Sequence, residues 1–481
     1  MKLRQLLNNA GAEENTFASL ADLDIAGICC DSRRVEPGCA FVCISGTAQD
    51  GHAYAGQAVE NGAAVVVAER DLGLPHQVLV PSGRKAWARM CANWFGNPAK
   101  RLHMIGITGT KGKTTTTYLL KAILESSGHK VGLIGTIQNM IGPEILPTER
   151  TTPESFDLQE LLARMASAGC RYVVMEVSSH ALALDRVGGI RFQAAAFTNL
   201  TEDHLDFHGT MEAYAQTKAM LFRRCRTGVW NADDPYCGQM MSGTSCRRIL
   251  VSRRDPKADL LARNLRLEPD SVAFDLQAGD RILPVRVGIP GLFTAYNALT
   301  VLGLAQALDL PLERSVEALG RAPGVKGRIE VTPTPGTGLT VLIDYAHTPD
   351  GLENILRSAR RFARGRVIAV FGCGGDRDRL KRPVMGRIGV DLADFVVFTS
   401  DNPRSEPPMS IILEVLSGAA DSRTPWVAVE DRRAAVRYAL DHGRPGDVIV
   451  LAGKGHETYQ EIHGVKRHLD EREEVAAWLA A

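Results

Sequence analysis

The segment Thr108-Gly109-Thr110-Lys111-Gly112-Lys113-Thr114-Thr115 limits what this chain can fold into more than any other. It follows an apolar run at 104–108 with strand character and opens a helical pattern that continues to 126. A strand that passes through a glycine-rich turn into a helix points backbone amides into the turn. Glycine lets a phosphate approach where a Cβ would collide, and the helix start adds unpaired N–H groups and the positive end of its dipole. Lys113 is placed to reach the β- and γ-phosphates, and the Thr114 hydroxyl to coordinate Mg²⁺. The spacing departs from the general GxxxxGK[ST] pattern: Ile107 stands five residues before Gly112, and the nearest upstream glycines are Gly106 and Gly109. By itself the loop implies a nucleotide phosphate and nothing narrower.

A chain of 481 residues makes about three domains at roughly 100–200 residues each. Its apolar content of 45% is enough for each to bury a core. A net charge of +1 argues against bulk binding of nucleic acid or a membrane surface. No run approaches the ~18 apolar residues that span a bilayer. The first 15 residues lack the apolar core of a secretion signal, so a cytoplasmic protein is expected. The ten cysteines form no CxxC pair and no zinc-like spacing with histidine, which fits reduced, buried thiols.

Three blocks follow one another. Residues 1–98 read as a small α/β module, with apolar runs at 40–44 and 63–68 around a helix at 54–61. Residues 99–327 continue from the phosphate loop with strands at 130–135, 172–177 and 194–199 and a helix at 156–168, and Gly128 fits a helix C-terminal cap. Residues 328–481 alternate strands at 340–345, 366–371, 394–399, 426–429 and 447–452 with helices, of which 432–442 is the clearest. Alternation of this kind predicts mostly parallel sheets: a P-loop ATPase domain in the centre and a Rossmann-like domain at the C-terminus. Ligands of such folds sit at the carboxyl ends of the strands.

Further motifs stand at those ends. Met175-Glu-Val-Ser-Ser-His180 and Asn199-Leu-Thr-Glu-Asp-His-Leu-Asp206 follow two strands of the second block. Asn297 lies in Gly-Leu-Phe-Thr-Ala-Tyr-Asn, Gly327-Arg328-Ile-Glu330 opens the third block, and Asp344-Tyr-Ala-His-Thr-Pro-Asp350 follows its first strand. With the compact loop 109–115, these motifs resemble the Mur ligase family across essentially the whole chain. Asp31-Ser-Arg-Arg-Val-Glu-Pro-Gly38 resembles the UDP-binding module of its third- and fourth-residue-adding members. Gly374-Gly-Asp-Arg377, Asp401-Asn-Pro-Arg404 and Gly453-Lys-Gly-His-Glu457 resemble members that add meso-diaminopimelate.

The resemblance implies an ATP-dependent, amide-bond-forming ligase that adds meso-diaminopimelate to the D-Glu γ-carboxylate of UDP-MurNAc-L-Ala-D-Glu through an acyl phosphate. Gly109, Thr110, Lys111, Gly112, Lys113, Thr114, Thr115, Asn297, Arg328 and Asp344 are its expected ATP contacts. Thr114, Glu176, His204 and a carbamylated Lys218 are the expected Mg²⁺ ligands, and Lys113, Lys218, Glu176 and His204 the catalytic set. Ser178, Ser179 and His180 could donate to substrate or merely end a strand. Cys30, Ser32, Thr47, Ala48, Gln49, Thr151, Thr152, Ser179 and Arg186 match contacts to the UDP-muramoyl dipeptide. Leu184 departs from the polar residue relatives often carry.

Arg377, Asp401, Asn402, Pro403, Arg404, Gly453 and Glu457 are the expected diaminopimelate contacts. A planar guanidinium can hold the distal carboxylate that separates diaminopimelate from lysine, which makes Arg404 the natural clamp. The expected partners are small molecules only, with no nucleic acid or membrane insertion, and the expected state is a monomer. Lysine-adding and D-Ala-D-Ala-adding relatives, a P-loop kinase and a nucleotide-binding scaffold are the competing readings. The intact Lys113, Thr114, Glu176, His204 and Lys218 argue against the scaffold.

Overall fold

A computed structural model describes residues 1–46 and 49–481; Thr47 and Ala48, two expected uridine-side contacts, lie outside the described residues. The architecture is the three-domain α/β fold. Packing groups the chain into two compact units, Met1–Val251 with Gly303–Leu310, and Ser252–Leu302 with Pro311–Ala481.

The first unit begins with four parallel strands paired in chain order: β1 (Gly27–Cys29), β2 (Cys39–Val42), β3 (Val65–Ala68) and β4 (Gln77–Leu79). β2 and β3 are buried along their whole length, so Cys-Ala-Phe-Val and Val-Val-Val-Ala carry no polar alternation. Leu3, Leu6 and Trp87 of the helix Gly83–Trp94 cover one face, and Ala55 and Ala58 the other. The helix expected at 54–61 forms as a short turn, Gly51–Tyr54, followed by Ala55–Glu60.

The second sheet of this unit comprises β5 (His103–Thr108), β6 (Val131–Ile134), β7 (Asn139–Ile141), β8 (Glu144–Leu146), β9 (Tyr172–Glu176), β10 (Phe192–Phe197), β11 (Cys225–Asn231) and β12 (Arg247–Ser252). Their order is β12-β11-β10-β5-β9-β6-β7-β8, parallel as far as β6 and antiparallel at the β7–β8 edge. β5 lies between β10 and β9, with Thr108 opposite Phe197 and Ile107 opposite Glu176. That register brings the phosphate loop, the Glu176 segment and the Asn199 segment together at one sheet edge. The helix Lys113–Ser126 begins at Gly112, with φ 82°, and stops at Gly128, with φ 81°, whose N–H donates to Glu125 O at 2.9 Å.

The second unit contains an antiparallel meander, β13 (Leu260–Leu267), β14 (Val272–Ala278) and β15 (Arg281–Val287). Its main sheet comprises β16 (Glu330–Thr332), β17 (Thr340–Asp344), β18 (Val367–Phe371), β19 (Phe395–Phe398), β20 (Trp426–Ala428) and β21 (Val448–Ala452), in the order β16-β17-β21-β18-β19-β20. Only β16 runs antiparallel. Apolar cores cover both faces, around Leu352, Leu356 and Met385 on one side and Val436, Leu440 and Val475 on the other. The motifs at Asp344, 374–377, 401–404 and 453–457 all follow carboxyl ends of these strands, as the sequence implied.

Candidate functional site

The phosphate loop is held by the segment after β10. Asn199 Oδ1 accepts from Lys111 N–H and its Nδ2 donates to Lys111 O, both at 3.0 Å, while its carbonyl accepts from Thr110 N–H at 2.8 Å. Thr198 Oγ1 donates to Lys111 O at 2.6 Å. Gly109 has φ 147°, and a Cβ there would stand 1.9 Å from Thr198 Oγ1, so the turn closes only on glycine. Lys113 Nζ donates to the carbonyls of Gly109 (2.9 Å) and Thr110 (2.8 Å), which places its charge on the loop itself. Thr114 is buried in the first helical turn, beside Thr115.

Lys218, on the helix Met211–Ala219, is buried behind this loop. Its Nζ donates to Gly109 O at 3.0 Å and lies 4.6 Å from the centre of the Tyr214 ring. Burial first, then the charge of Lys113, push its pKa well below the ordinary lysine value. Glu176 is also buried; its two carboxylate oxygens accept from Thr136 N–H (2.9 Å) and Thr136 Oγ1 (3.0 Å). No lysine or arginine stands within ion-pair distance of Glu176 among the described residues. His204, with φ 54°, has a half-exposed imidazole 4.9 Å from that of His180 and 3.5 Å from Asp203.

On the other side of Glu176, Thr152 Oγ1 donates to Glu176 O at 2.8 Å and accepts from Ser178 N–H at 3.1 Å. Thr151 lies 3.0 Å from Thr136, oxygen to oxygen, and Ser179 Oγ lies 2.9 Å from His208 Nε2. Arg186 donates to Thr152 O at 3.2 Å and pairs with Glu154 at 2.8 Å, while its buried Nε has no partner. Glu154 also lines a cavity of about 870 Å³ with Cys30, Asp31, Arg34, Arg84 and Leu184. Ser32 is turned into the protein, where it donates to Gln57 Oε1 at 3.2 Å, and Gln49 is exposed.

In the second unit, Arg404 sits at φ 52°, a conformation L-residues rarely adopt. Its N–H donates to Glu461 O at 3.0 Å and its carbonyl accepts from His463 N–H at 2.7 Å. These contacts come from a hairpin, β22 (Tyr459–Ile462) and β23 (Val465–His468). The guanidinium donates to Gly375 O at 2.8 Å, and a Cβ on Gly375 would lie 1.9 Å from Pro403 O, so the 374–377 and 401–404 loops cross in contact. Asn402 Oδ1 accepts from Lys454 Nζ (2.7 Å) and Glu461 N–H (2.9 Å), and its Nδ2 donates to Glu457 Oε2 (2.9 Å), which also accepts from Lys454 (2.7 Å). Asp401 lies beside Gly453, where a Cβ would come within 2.5 Å of its carboxylate. Arg377 is exposed and donates to Asp376 O at 3.0 Å. Beneath these loops, buried Arg382 binds Glu406, Glu414 and Gly374 O. Buried Arg432 ties Ser400 O to Ala452 O.

A second group in this unit surrounds Asp344. Its carboxylate accepts from Ile329 N–H at 2.7 Å, and burial raises its pKa. Arg328 lies 5.3 Å above the Tyr345 ring with a buried Nε that has no partner, and His456 packs on the same ring at 5.0 Å. Asn297 is buried on the helix Leu292–Ala307.

Three family models match the chain: "Mur ligase family, catalytic domain" at residues 24–83, "Mur ligase middle domain" at 107–305 and "Mur ligase, glutamate ligase domain" at 327–455. A protein of Caldanaerobacter subterraneus named UDP-N-acetylmuramoyl-L-alanyl-D-glutamate–2,6-diaminopimelate ligase is 48% identical over 95% of both chains. A Clostridium botulinum protein of the same name is 47% identical over 96% of both. The chain belongs to the Mur ligase family. A solved structure bearing that enzyme name superposes with a TM-score of 0.74, at 32% identity over 96% of both chains. The ADP complex of a Thermotoga maritima MurF ligase superposes at 0.59 with 19% identity over 94% of this chain and 96% of that one, a likeness of fold alone.

In this Mur ligase the structure brings Gly109, Lys113 and Lys218 together, Glu176 with Thr151 and Thr152, and Arg404, Asn402 and Glu457 with the 374–377 loop. It does not bring Ser32 to the cavity beside Cys30. Cys373, between Gly372 and the Gly374–Arg377 segment, is buried against Met385. Sequence reasoning gave no role to Thr136, Thr198, Asn199, Tyr214 or Lys454. Asn199 and Lys454 stood inside motifs already quoted, and their neighbours' motif roles were the available signal.

Proposed function

We propose that the protein is an ATP-dependent ligase that joins meso-diaminopimelate to the D-Glu γ-carboxylate of UDP-MurNAc-L-Ala-D-Glu in peptidoglycan synthesis. The observation that carries this reading is the pinned Arg404 loop, in a chain 47–48% identical to two enzymes named for 2,6-diaminopimelate. Domain roles follow the proposed boundaries: 1–98 for the UDP-muramoyl substrate, 99–327 for ATP and 328–481 for the amino acid. The substrates are small molecules, the protein acts as a monomer, and its work is in the cytoplasm, where ATP is available. No described helix is long and apolar enough to cross a membrane.

The γ-carboxylate of D-Glu attacks the γ-phosphorus of ATP, giving an acyl phosphate and ADP. The diaminopimelate amine then attacks the acyl carbon, loses a proton and expels phosphate. Lys113 and the backbone amides at the start of the helix Lys113–Ser126 are assigned to the transferring phosphoryl group, where fixed positive charge lowers the barrier. Arg328, with its unpartnered Nε, is suited to an anionic part of the nucleotide, Asp344 to ribose hydroxyls, and Asn297 to the base or ribose edge. Thr151, Thr152, Ser179 and Arg186 are assigned to the muramoyl dipeptide, and Cys30 to its uridine side, while Ser32 faces away. Arg404 and Asn402 are assigned to the distal end of diaminopimelate, with Glu457 for its ammonium and Arg377 for its remaining carboxylate.

The donor set fits Mg²⁺. Glu176 is a buried carboxylate with no basic partner and about two of its four lone-pair directions unused, and Thr114 offers a hydroxyl. His204 is suited to a second ion. When bound, Mg²⁺ supplies charge neutralisation at the phosphates. Lys218 as an ammonium cannot join this set. Burial favours its neutral amine, the species that can add CO₂, releasing a proton and leaving a carbamate with carboxylate character.

The test is phosphate release from ATP with UDP-MurNAc-L-Ala-D-Glu and Mg²⁺, with meso-diaminopimelate, L-lysine or D-Ala-D-Ala in separate reactions and products identified by mass. Turnover with diaminopimelate alone is expected. Turnover with lysine in its place would overturn the reading of Arg404, and no turnover with any amine would overturn the ligase.

A further inference from the structure

At the amino ends of β5, β10 and β11, opposite the phosphate loop, the first unit has a cleft of about 760 Å³. That volume is within the roughly 300–1,000 Å³ typical of small-molecule sites. The cleft starts at His103, Phe192 and Cys225, and the six residues of β5 separate it from the loop by roughly 17 Å at about 3.3 Å per residue. Arg89, Lys100, Arg101, Arg191, Arg223 and Arg226 line it, and none of them forms an ion pair among the described residues. A seventh cation, Arg224, pairs with Asp185 at 2.8 Å, and no aspartate or glutamate lines the cleft.

These cations come from four separate pieces of chain: the helix Gly83–Trp94, the turn Pro98–Arg101, the loop before β10, and residues 223–226. Leu102, Met104 and Phe192 form an apolar floor. Like charges around a concave, low-dielectric wall repel one another and focus a positive potential into it. In a chain of net charge +1, this local excess has no counterpart in the composition. Six of the seven cations are arginines, whose planar forks match pairs of phosphate oxygens. The charges ring a cavity. A stripe, which a nucleic-acid backbone with a charge every ~1.7 Å requires, is not what they form.

We infer that this cleft is a second anion site, separate from the ATP site, for a small soluble molecule carrying several linked phosphates. Its probe is inorganic tripolyphosphate, titrated calorimetrically into the full-length chain at about 0.15 M salt, where weak surface attraction is screened. The Lys113→Ala variant removes the main charge of the phosphate loop and is expected to retain one saturable site. Adding Arg191→Gln, Arg223→Gln and Arg226→Gln should weaken that site at least tenfold. With Lys113 intact, the triple arginine variant should keep wild-type turnover and melting temperature. If it melts early, Lys100→Gln with Arg101→Gln, from another wall of the cleft, decides the question by the same tenfold criterion. Binding abolished by Lys113→Ala and untouched by either cleft variant would overturn the inference. So would arginine-dependent sedimentation with phosphatidylglycerol vesicles that tripolyphosphate does not compete away, since the cleft would then face a membrane.

Discussion

Burial weakens a basic group's hold on a proton, and at Lys218 and His456 burial and a neighbouring cation together outweigh the nearby acid. His456 is pushed down to about 4 by burial and the charge of Arg328, and its Nδ1 is buried without a partner. The unfolded chain titrates this group near 6.5. Between 6.5 and about 4 the unfolded state therefore binds more protons, so the contribution is complete above 6.5 and lost as pH falls towards 4. His456→Phe keeps a ring against Tyr345 and removes the titration. The stability difference between wild type and variant, from urea unfolding at several pH values, should move against the wild type across that window; a constant difference would refute the assignment. For Lys218 the neutral amine is the species that reacts with CO₂. Lys218→Arg keeps a cation but cannot form the carbamate, and should lower kcat by roughly 10²-fold or more, the scale for losing one charge-stabilising group. Intact mass should show one added CO₂ on the wild type and none on the variant; equal masses and equal turnover would remove the carbamate from the mechanism.

At the scale of elements, close backbone crossings set the loops. Gly327 has φ 70°, and a Cβ on it would lie 2.0 Å from His456 N, so the turn before β16 and the 453–457 loop interlock. Gly327→Ala adds both a clash and left-handed strain, and should cost about 2–4 kcal/mol, seen as an earlier melt with falling affinity for ATP. An unchanged melt would mean the two loops part easily. Which elements the sequence revealed follows from the same physics. β5, β9, β18 and β21 are buried on both faces, and continuous apolar runs mark them to within a residue or two. β13–β15 and the β22–β23 hairpin were not read as strands. β13 and β15 have arginine set among their apolar residues, and the hairpin strands Tyr-Gln-Glu-Ile and Val-Lys-Arg-His are largely polar and lie outside the core, so a search for apolar runs passes over all of them. The Arg404 loop was legible as a motif, but its support was not, since the backbone of Glu461 and His463 that holds Arg404 acts regardless of side chain. The pairing of Asn199 with Lys111 was hidden for another reason: 88 residues separate them, and only the adjacency of β5 and β10 joins them.

For the whole molecule, the proposed assignments divide the reaction into two halves with separate residues. Lys113, Glu176 and Lys218 lie in the first unit, and Arg404, Asn402 and Glu457 in the second. If acyl-phosphate formation depends on the first group and amine capture on the second, the halves should separate by mutation. Rapid mixing of enzyme with ATP and UDP-MurNAc-L-Ala-D-Glu, without amino acid, should give ADP up to about one equivalent per chain and then stall. Arg404→Ala should keep that burst, since the clamp touches neither ATP nor the muramoyl carboxylate in this reading. It should raise the KM for diaminopimelate by on the order of 10²-fold, because a carboxylate site emptied of its cation loses a charge-assisted pair. The same change should raise relative turnover with lysine, which has no carboxylate to leave unpaired. Lys113→Ala should lose burst and steady state together. A burst that falls with Arg404→Ala would mean that the amino-acid loops take part in phosphoryl transfer, and the two-part division of the chemistry would have to be abandoned.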